Sequence, residues 1–472
     1  MRVKIDVVLL LLCLAVPCFG QVKVPDTPAG RQFAVWLALF NRGDRDAYKE
    51  FIDKNYPSDP LPVDREMALR EMTGGFDVKQ VEPSTADTQA ELLLQGRNSD
   101  QFARISVVVE PAEPHKIVDL EIAEVPRPAA FPVPHLSVGD LTAAVRKRLD
   151  LEAAAGRFSG TVLIARNGQS VLAEAYGLSD REHQTPNRLE TRFRIGSMNK
   201  MFTATATLQL VQAGKLGLND PLGKYLPDYP NKDVASKVTI YHLLTHTGGT
   251  GDIFGPEFQV HRLELRTLDD YVKLYGNRPL QFEPGSKWGY SNYGFILLGV
   301  VIEKVSGQSY YDYVRDHIYK PAGMTRTGSE PEDQPVSDRS VGYTSRGGGA
   351  EHPNTETLPY RGISAGGGYS TVEDLLKFAN ALQAHQLLDS VHTEMLTTGK
   401  VDLGGGHRYA FGFDDGRING IRCFGHGGGA PGMNGELEIC PTAGYVVAVL
   451  ANLDPPAAGR ISEFITNRLP EK

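Results

Sequence analysis

The sequence Ile195-Gly196-Ser197-Met198-Asn199-Lys200 decides how the rest of this chain is interpreted. Ser197 is the only serine in the sequence that is followed by a lysine three residues later. Residues 201–213 contain no glycine or proline and carry apolar residues at helical spacing, which predicts a helix directly after this stretch. Because residues i and i+3 share a helix face, the Ser197 hydroxyl and the Lys200 amine are expected to meet at the first turn. The pair predicts a nucleophile with its base, and the alternative is a helix cap followed by a solvated lysine.

Length and charge narrow the classes of function. The chain has 472 residues and a net charge of −8 at pH 7. That length predicts about two to three domains. No basic stripe is present, so nucleic acid is not an expected partner, and the charge mainly favours solubility.

Residues 1–20 have the pattern of a secretory signal peptide. Arg2 and Lys4 precede the apolar run 7–16, and small residues follow before Gln21. The apolar run is too short to span a bilayer, and no other stretch is long enough. A lipoprotein cleavage site at Cys18 is the alternative, against which the preceding proline argues. We therefore expect an exported protein, periplasmic or secreted, without a transmembrane segment.

Two of the four cysteines, Cys423 and Cys440, remain once the signal is removed. They lie on two β runs that flank residues 426–429, which we interpret as a loop. A hairpin centred near Pro431 would place the two cysteines opposite each other, and a disulfide persists in an oxidising compartment. The sequence therefore predicts a cross-strand disulfide, with two buried thiols as the alternative.

Metal and cofactor chemistry has no support in the sequence. No group of cysteines, histidines and carboxylates has the spacing of a metal site. His242 and His246 lie four residues apart but lack the glutamate of a zinc-protease helix. We interpret both histidines as structural and expect neither a metal nor a cofactor.

The segment 25–125 predicts a small α+β domain. Three helices, over residues 31–40, 44–52 and 64–72, precede strands over 76–81, 90–95, 103–109 and 116–123. The pattern resembles the NTF2-like domains but carries no motif. We expect a packing or partner-binding domain rather than a second active site.

The proline-rich segment 126–135 predicts a stiff linker, followed by a second domain over residues 136–472. Its predicted elements are a helix over 138–155, a hairpin of strands 161–166 and 170–176, strands over 420–425, 435–439 and 445–451, and a last helix over 457–469. With hairpin strands at both ends, the expected fold is one antiparallel sheet flanked by helices, with a helical insertion between its two parts.

Two further motifs accompany Ser197 and Lys200: Tyr290-Ser291-Asn292 and His426-Gly427-Gly428. With these motifs the chain resembles the serine β-lactamase and penicillin-binding-protein superfamily. It is most similar to the class C branch and to the esterases and D-peptidases of that fold. The likeness runs from about Leu136 to the end and includes the phrases at 243–249, 321–324 and 364–370.

The resemblance implies a role for each motif residue. Ser197 would form an acyl-enzyme, and Lys200 would take or hold its proton. Tyr290 would shuttle a proton among the nucleophile, the leaving group and the deacylating water. Asn292 would orient Lys200 and hold a substrate amide or carbonyl. The backbone N–H groups of Ser197 and Gly429 would form the oxyanion hole. Whether Lys200 is the neutral base or the charged partner of a tyrosinate stays open at this point.

The chain departs from the family pattern at residues 426–428, where His426, Gly427 and Gly428 are the expected substrate-binding residues. β-Lactamases usually carry Lys-Thr-Gly there, and the lysine and threonine bind a substrate carboxylate. A neutral histidine and a glycine supply little of that attraction. We therefore expect an esterase-like serine hydrolase acting on a small-molecule ester, amide or D-peptide. The alternatives are a β-lactamase or D-Ala-D-Ala carboxypeptidase or D-aminopeptidase, and a non-catalytic binding protein on the same fold.

A competing motif, Gly362-Ile363-Ser364-Ala365-Gly366, matches the nucleophile elbow of α/β-hydrolases. That elbow requires a buried strand before the serine and a helix directly after it. Residues 351–361 are polar and contain prolines, and glycines follow. We therefore predict that Ser364 lies in a loop.

Overall fold

The computed structural model describes residues 22–56, 62–83, 86–346 and 350–471. These residues form two compact units that divide between Pro132 and Val133, within the proline-rich segment 126–135. The predicted signal peptide lies outside the described residues. No helix in the described ranges combines the length and apolar character needed to cross a membrane.

The first unit is a small α+β structure, as predicted. Helices α1 (Pro28–Arg42), α2 (Arg45–Asn55) and α3 (Val63–Thr73) precede strands β1 (Phe76–Val81), β2 (Gln89–Gly96), β3 (Phe102–Val109) and β4 (Ile117–Val125). The strands form an antiparallel sheet in chain order. Phe33, Trp36 and Phe40, at helical spacing on α1, are fully buried and share one core with residues of the sheet. The likeness to NTF2-like domains stays a prediction.

The second unit is built on an eight-stranded sheet in the order β13-β14-β15-β16-β17-β18-β5-β6. Its strands and the short pairs around it are β5 (Gly160–Arg166), β6 (Gln169–Tyr176), β7 (Leu178–Asp180), β8 (Thr185–Pro186), β9 (Phe193–Arg194), β10 (Tyr343–Thr344), β11 (His352–Pro353), β12 (Tyr369–Ser370), β13 (Val401–Gly404), β14 (His407–Tyr409), β15 (Asp414–Ile418), β16 (Ile421–Ala430), β17 (Met433–Cys440) and β18 (Tyr445–Ala451). Every neighbouring pair in the large sheet is antiparallel. Strands from both ends of the unit therefore meet in one sheet, which confirms the predicted fold class.

Helices cover both faces of this sheet. They are α4 (Val138–Ala154), α5 (Asn199–Gln212), α6 (Lys232–Lys237), α7 (Ile240–Leu244), α8 (Pro256–His261), α9 (Leu268–Tyr275), α10 (Asn292–Ser306), α11 (Tyr310–Val314), α12 (Lys320–Ala322), α13 (Val372–Gln383), α14 (Ser390–Thr397) and α15 (Ala457–Thr466). Helices α4 and α15 share one core with alternate residues of β18, such as Val447 and Val449. The remaining alternate residues, such as Val446 and Ala448, share the larger core with α5 and α10. The predicted helical insertion is therefore the layer that covers this second face.

The interpretation of residues 426–429 as a loop is wrong, because strand β16 continues through them to Ala430 and pairs with β17 along this length. Glycine is uncommon in strands, but here it permits a close backbone approach. A Cβ on Gly428 would lie 1.9 Å from the carbonyl oxygen of Ile195 and 3.0 Å from the amide nitrogen of Ser197. The turn follows at Pro431-Gly432.

Cys423 and Cys440 form a disulfide across β16 and β17. They occupy the position next to the pair Phe424 and Ile439 in the register of these strands. The bond therefore lies on the strand that approaches Ser197.

Candidate active site

The nucleophile candidate Ser197 lies in a short 3-10 turn, Gly196–Met198, immediately before α5. Lys200 lies in the first turn of α5, and its Nζ donates to Ser197 Oγ at 3.1 Å. The side chain of Lys200 is completely buried. The three-residue spacing thus brings the hydroxyl and the amine into hydrogen-bond contact, as the sequence predicted.

Two further oxygens hold Lys200 in place. Its Nζ donates to Asn292 Oδ1 at 2.7 Å and to the carbonyl oxygen of Ala365 at 2.6 Å. Burial lowers the pKa of Lys200 to about 7, against the opposing charge of Asp252. At neutral pH this amine can therefore both accept and release a proton.

Asn292 is oriented by Asp252, a residue that the sequence motifs did not identify. Asn292 begins α10, which Ser291 caps by accepting from the Gly294 N–H. The side-chain Nδ2 of Asn292 donates to Asp252 Oδ1 at 2.9 Å. With its nitrogen bound to a carboxylate, the amide must present its oxygen to Lys200. An acidic residue three positions after the 243–249 phrase is the signal that could have suggested this role.

Tyr290 lies beside the same lysine. The Nζ of Lys200 is 4.8 Å from the centre of the Tyr290 ring. Burial raises the pKa of Tyr290 far above its ordinary value, although a hydrogen bond with Ser197 acts in the opposite direction. Tyr290 is therefore a neutral phenol in contact with the nucleophile.

Ser197 and Gly429 line the same pocket, which has a volume of about 180 Å³. The backbone around Gly196 packs on β16, since a Cβ on Gly196 would lie 2.9 Å from the Gly429 amide nitrogen. Asn434 Nδ2 donates to the carbonyl oxygen of Gly428 at 2.9 Å and ties the strand down. The two residues whose backbone amides are expected to form an oxyanion hole therefore line one cavity.

The walls of this pocket are mostly apolar. Ile253, Phe254, Phe258, Ile363 and Met433 line it together with the glycines at 196, 366, 367 and 429. Its lining contains no lysine, arginine, histidine, aspartate or glutamate. The cavity beside the nucleophile therefore suits an uncharged, apolar group.

The other expected substrate-binding residues do not line this pocket. His426 is 6% exposed, and burial lowers its pKa to about 3, with Lys200 adding to the effect. Position 427 faces Glu436, because a Cβ on Gly427 would lie 2.6 Å from a carboxylate oxygen of that residue. Gly428 packs against the backbone near Ser197. Of the predicted site residues, Ser197, Asn292 and Gly429 line the cavity.

Ser364 lies in a turn between Ile363 and Gly366, as predicted. Its side chain is fully buried and is absent from the pocket lining. The carbonyl oxygen of Ser364 accepts from Thr203 Oγ1 at 2.7 Å. The turn contributes through the backbone, since the next carbonyl, that of Ala365, binds Lys200.

The two histidines interpreted as structural differ from each other. His242 completes the capping box of α7 by accepting from the Thr239 N–H. His246 instead lies behind Tyr290, with the two ring centres 4.3 Å apart. Within the described ranges, no group of three or more histidines, cysteines and carboxylates is arranged to hold a metal ion.

Comparison with known proteins gives consistent relatives. PbpX of Bacillus subtilis, which bears the name of a penicillin-binding protein, is 35% identical over 257 residues, covering 54% of this chain and 62% of PbpX. Esterase EstB of Burkholderia gladioli is 35% identical over 222 residues, covering 43% of this chain and 56% of EstB. The chain thus spans about three-fifths of the length of these curated relatives.

Solved structures agree with these sequence relatives. A penicillin-binding protein from Bacillus halodurans superposes with a TM-score of 0.61 at 32% identity, covering 69% of this chain and 97% of that chain. The family model described as Beta-lactamase matches residues 141–469, a range that contains Ser197, Lys200, Tyr290 and Asn292. Because this match extends over more than half of the sequence, the chain belongs to the beta-lactamase family, a group of serine hydrolases whose relatives include penicillin-binding proteins and esterases.

Proposed function

We propose that this protein is an exported serine hydrolase that cleaves neutral carboxylic esters through an acyl-enzyme on Ser197. One observation carries the proposal: a buried lysine with a pKa of about 7 lies 3.1 Å from a serine hydroxyl at the edge of an uncharged, apolar pocket. Amides with neutral acyl groups are expected to be cleaved more slowly than esters, because their leaving groups are poorer.

In acylation, the neutral amine of Lys200 takes the proton of Ser197 as Oγ bonds to the substrate carbonyl carbon. The carbonyl electron pair moves onto oxygen, where the backbone N–H groups of Ser197 and Gly429 stabilise the negative charge. This scheme needs Lys200 to be partly neutral at physiological pH, and its lowered pKa supports that requirement.

Leaving-group departure then needs a proton donor. Tyr290 carries its phenolic proton at neutral pH, because burial raises its pKa. Tyr290 gives that proton to the departing alkoxide and takes one from the Lys200 ammonium, so charge and protons balance. Water repeats the same steps in reverse order to release the acid. The raised pKa of Tyr290 favours this relay over a tyrosinate base.

The pocket is assigned to the acyl group. Ser197 lines it, whereas Tyr290, the proton donor to the leaving group, does not. The leaving alcohol therefore departs on the side of Tyr290, and the acyl chain occupies the cavity. An unpaired carboxylate in an apolar cavity is costly, so the acyl portion is expected to be neutral.

A second candidate is a β-lactamase or a D-Ala-D-Ala carboxypeptidase or D-aminopeptidase, which the names of relatives such as PbpX favour. The carboxylate of such substrates belongs to the leaving-group side, where this chain has the buried, neutral His426 and Gly427 in place of the lysine and threonine of β-lactamases. The missing attraction is worth up to about 4 kcal/mol at an intermediate dielectric, before desolvation is counted. A loss of a few kcal/mol reorders substrates.

The deciding experiment compares kcat/KM for p-nitrophenyl acetate and butyrate with kcat/KM for nitrocefin and a D-Ala-D-Ala peptide. We expect the esters to be preferred. A preference for nitrocefin or the peptide would establish the second candidate. Absence of both turnover and fluorophosphonate labelling would favour a non-catalytic binding protein instead.

Export is part of the same proposal. Residues 1–20 have the signal pattern, and the Cys423–Cys440 disulfide fits an oxidising compartment. Cell fractionation and the mass of the mature N-terminus test this point. We also propose that residues 25–125 form a separate NTF2-like domain.

A further inference from the structure

Three side chains behind Tyr290 form a continuous hydrogen-bonded chain. The Nε2 of His246 lies 3.0 Å from the hydroxyl oxygen of Tyr409, and that oxygen lies 3.2 Å from Nε2 of His426. The three residues are 1%, 2% and 6% exposed, respectively. The sequence motifs include His426, whereas the roles of His246 and Tyr409 become visible only in three dimensions.

The protons of this chain have one consistent order. The backbone N–H of Ser291 can only donate, and it donates to Nδ1 of His246 at 3.1 Å. A neutral His246 then carries its proton on Nε2 and donates to Tyr409. Tyr409 in turn donates to Nε2 of His426, whose Nδ1 donates to the carbonyl oxygen of Gly427. Every ring nitrogen and the hydroxyl have a partner.

The environment keeps the three hydrogen-bonded side chains uncharged. Burial lowers the pKa of His246 well below its ordinary value, and the nearby Lys200 and His426 add to the effect. Burial likewise raises the pKa of Tyr409, with Tyr290 and Asp414 contributing. The two histidines and the tyrosine of this hydrogen-bonded chain therefore stay uncharged near pH 7, where Lys200 changes charge.

The hydrogen-bonded chain connects two parts of the proposed active site. At one end, the His246 ring packs on the Tyr290 ring with centres 4.3 Å apart, and its Nδ1 binds the peptide that follows Tyr290. At the other end, His426 lies on β16, three residues before Gly429. We propose that Tyr409 is a positioning residue that holds Tyr290 and the Gly429 edge in their working arrangement through His246 and His426.

This inference rests on the proposed function and gives His426 a different task from substrate binding. Both of its ring nitrogens are already bonded, and its side chain is absent from the pocket lining. A tyrosine that only filled the core would not need both hydrogen bonds. Tyr445 is such a residue in the same sheet: it is fully buried, and its hydroxyl has no partner in the described part of the chain.

The experiment compares Tyr409→Phe with Tyr445→Phe. Ester turnover is measured as kcat per active site, with sites counted by fluorophosphonate labelling so that unfolded molecules do not contribute. Misplacement of a reacting group by about 1 Å costs about 100-fold. We therefore expect Tyr409→Phe to lower kcat by about 10- to 100-fold with KM changed by less than about twofold, and Tyr445→Phe to leave both unchanged.

A second pair of variants tests the link to His426. Gln at position 426 keeps an oxygen that can accept from Tyr409, whereas Leu does not. We expect His426→Gln to retain most of kcat and His426→Leu to lose as much as Tyr409→Phe. Equal losses in the two variants, or an unchanged kcat in Tyr409→Phe, would overturn the inference. Failure of the wild type to label or to cleave any ester would instead refute the proposed function.

Discussion

In the first unit Glu66 is buried beside Tyr48 and Trp36, and in the second unit Lys200 is buried beside Tyr290 and Ser197. Trp36 Nε1 donates to the Tyr48 hydroxyl at 2.9 Å, and that hydroxyl donates to Glu66 Oε2 at 3.4 Å. Both sites therefore place one ionisable group among aromatic rings and hydrogen-bond it.

The two sites differ in the groups to which they can pass a proton. Trp36 and Tyr48 are fully buried, so the bonds of Glu66 end within the core. Lys200 instead contacts a serine that lines a cavity of about 180 Å³. A buried ionisable group is thus no sign of catalysis by itself. It becomes one when its proton can pass to an atom that faces space for a substrate.

The strongest test of this contrast removes the nucleophile. We expect Ser197→Ala to lower turnover by about 10⁴- to 10⁶-fold, because the attacking oxygen is lost. Ser364→Ala is the matched control, since that residue is fully buried and does not line the pocket. Mass spectrometry of the fluorophosphonate adduct locates the label, and an adduct on Ser364 would refute the assignment.

The second test removes one tyrosine hydroxyl from each unit. We expect Tyr290→Phe to lower kcat by about 10²- to 10⁴-fold with little change in KM, because a proton relay acts in the transition state. Tyr48→Phe should leave kcat unchanged and lower the free energy of unfolding of the first unit by about 1–3 kcal/mol, since two buried groups lose their partner. An equal kcat in wild type and Tyr290→Phe would reduce Tyr290 to a packing residue.

The third test uses pH. Lys200 must be neutral to accept the serine proton, and its pKa is lowered to about 7. We expect kcat/KM for a neutral ester to fall about tenfold for each pH unit below 7 and to level off above it. A profile that is flat from pH 5 to 9 would exclude Lys200 as the base.

The smallest expected effect concerns Glu66, whose pKa is raised, chiefly by burial. The folded first unit therefore binds its proton more tightly than the unfolded chain does. Stability should fall as pH rises from the ordinary pKa of a glutamate, about 4.3, through the raised value. The loss amounts to about 1.4 kcal/mol for each unit of pKa difference.

Glu66→Gln should remove this pH dependence. Urea unfolding is followed at pH 4, 6 and 8 through the fluorescence of Trp36 in a Trp288→Phe background, because these are the two tryptophans of the chain. A pH dependence that is the same with and without Glu66 would show that the carboxyl ionises freely in the folded state.

The sequence predicted the parts of the site that follow local rules. Ser197 and Lys200 share a helix turn, and Tyr290 and Asn292 flank the Ser291 cap of α10, so spacing alone places each pair. Strands β5, β6, β17 and β18 were predicted because they are runs of β-prone residues, and an Asn-Gly turn joins the first two.

The missed features depend on contacts between distant segments. Strands β13, β14 and β15 are short, and nearly all of their residues are exposed or half-buried, so they carry little alternation. The glycine run of β16 has low strand propensity, and only its packing against Gly196 and Ser197 explains it. Asp252 and Tyr409 lie far in sequence from the groups that they hold.

The disulfide has a consequence for which residues face the nucleophile. Side chains alternate between the two faces of a strand. A slip of β16 by one residue would therefore move His426 and each of its neighbours to the opposite face of the sheet. A glycine-rich strand offers few side chains to oppose such a slip. The bond between Cys423 and Cys440 ties β16 to one alignment with β17. The disulfide takes no part in the reaction, yet it fixes the register of the strand that supplies Gly429.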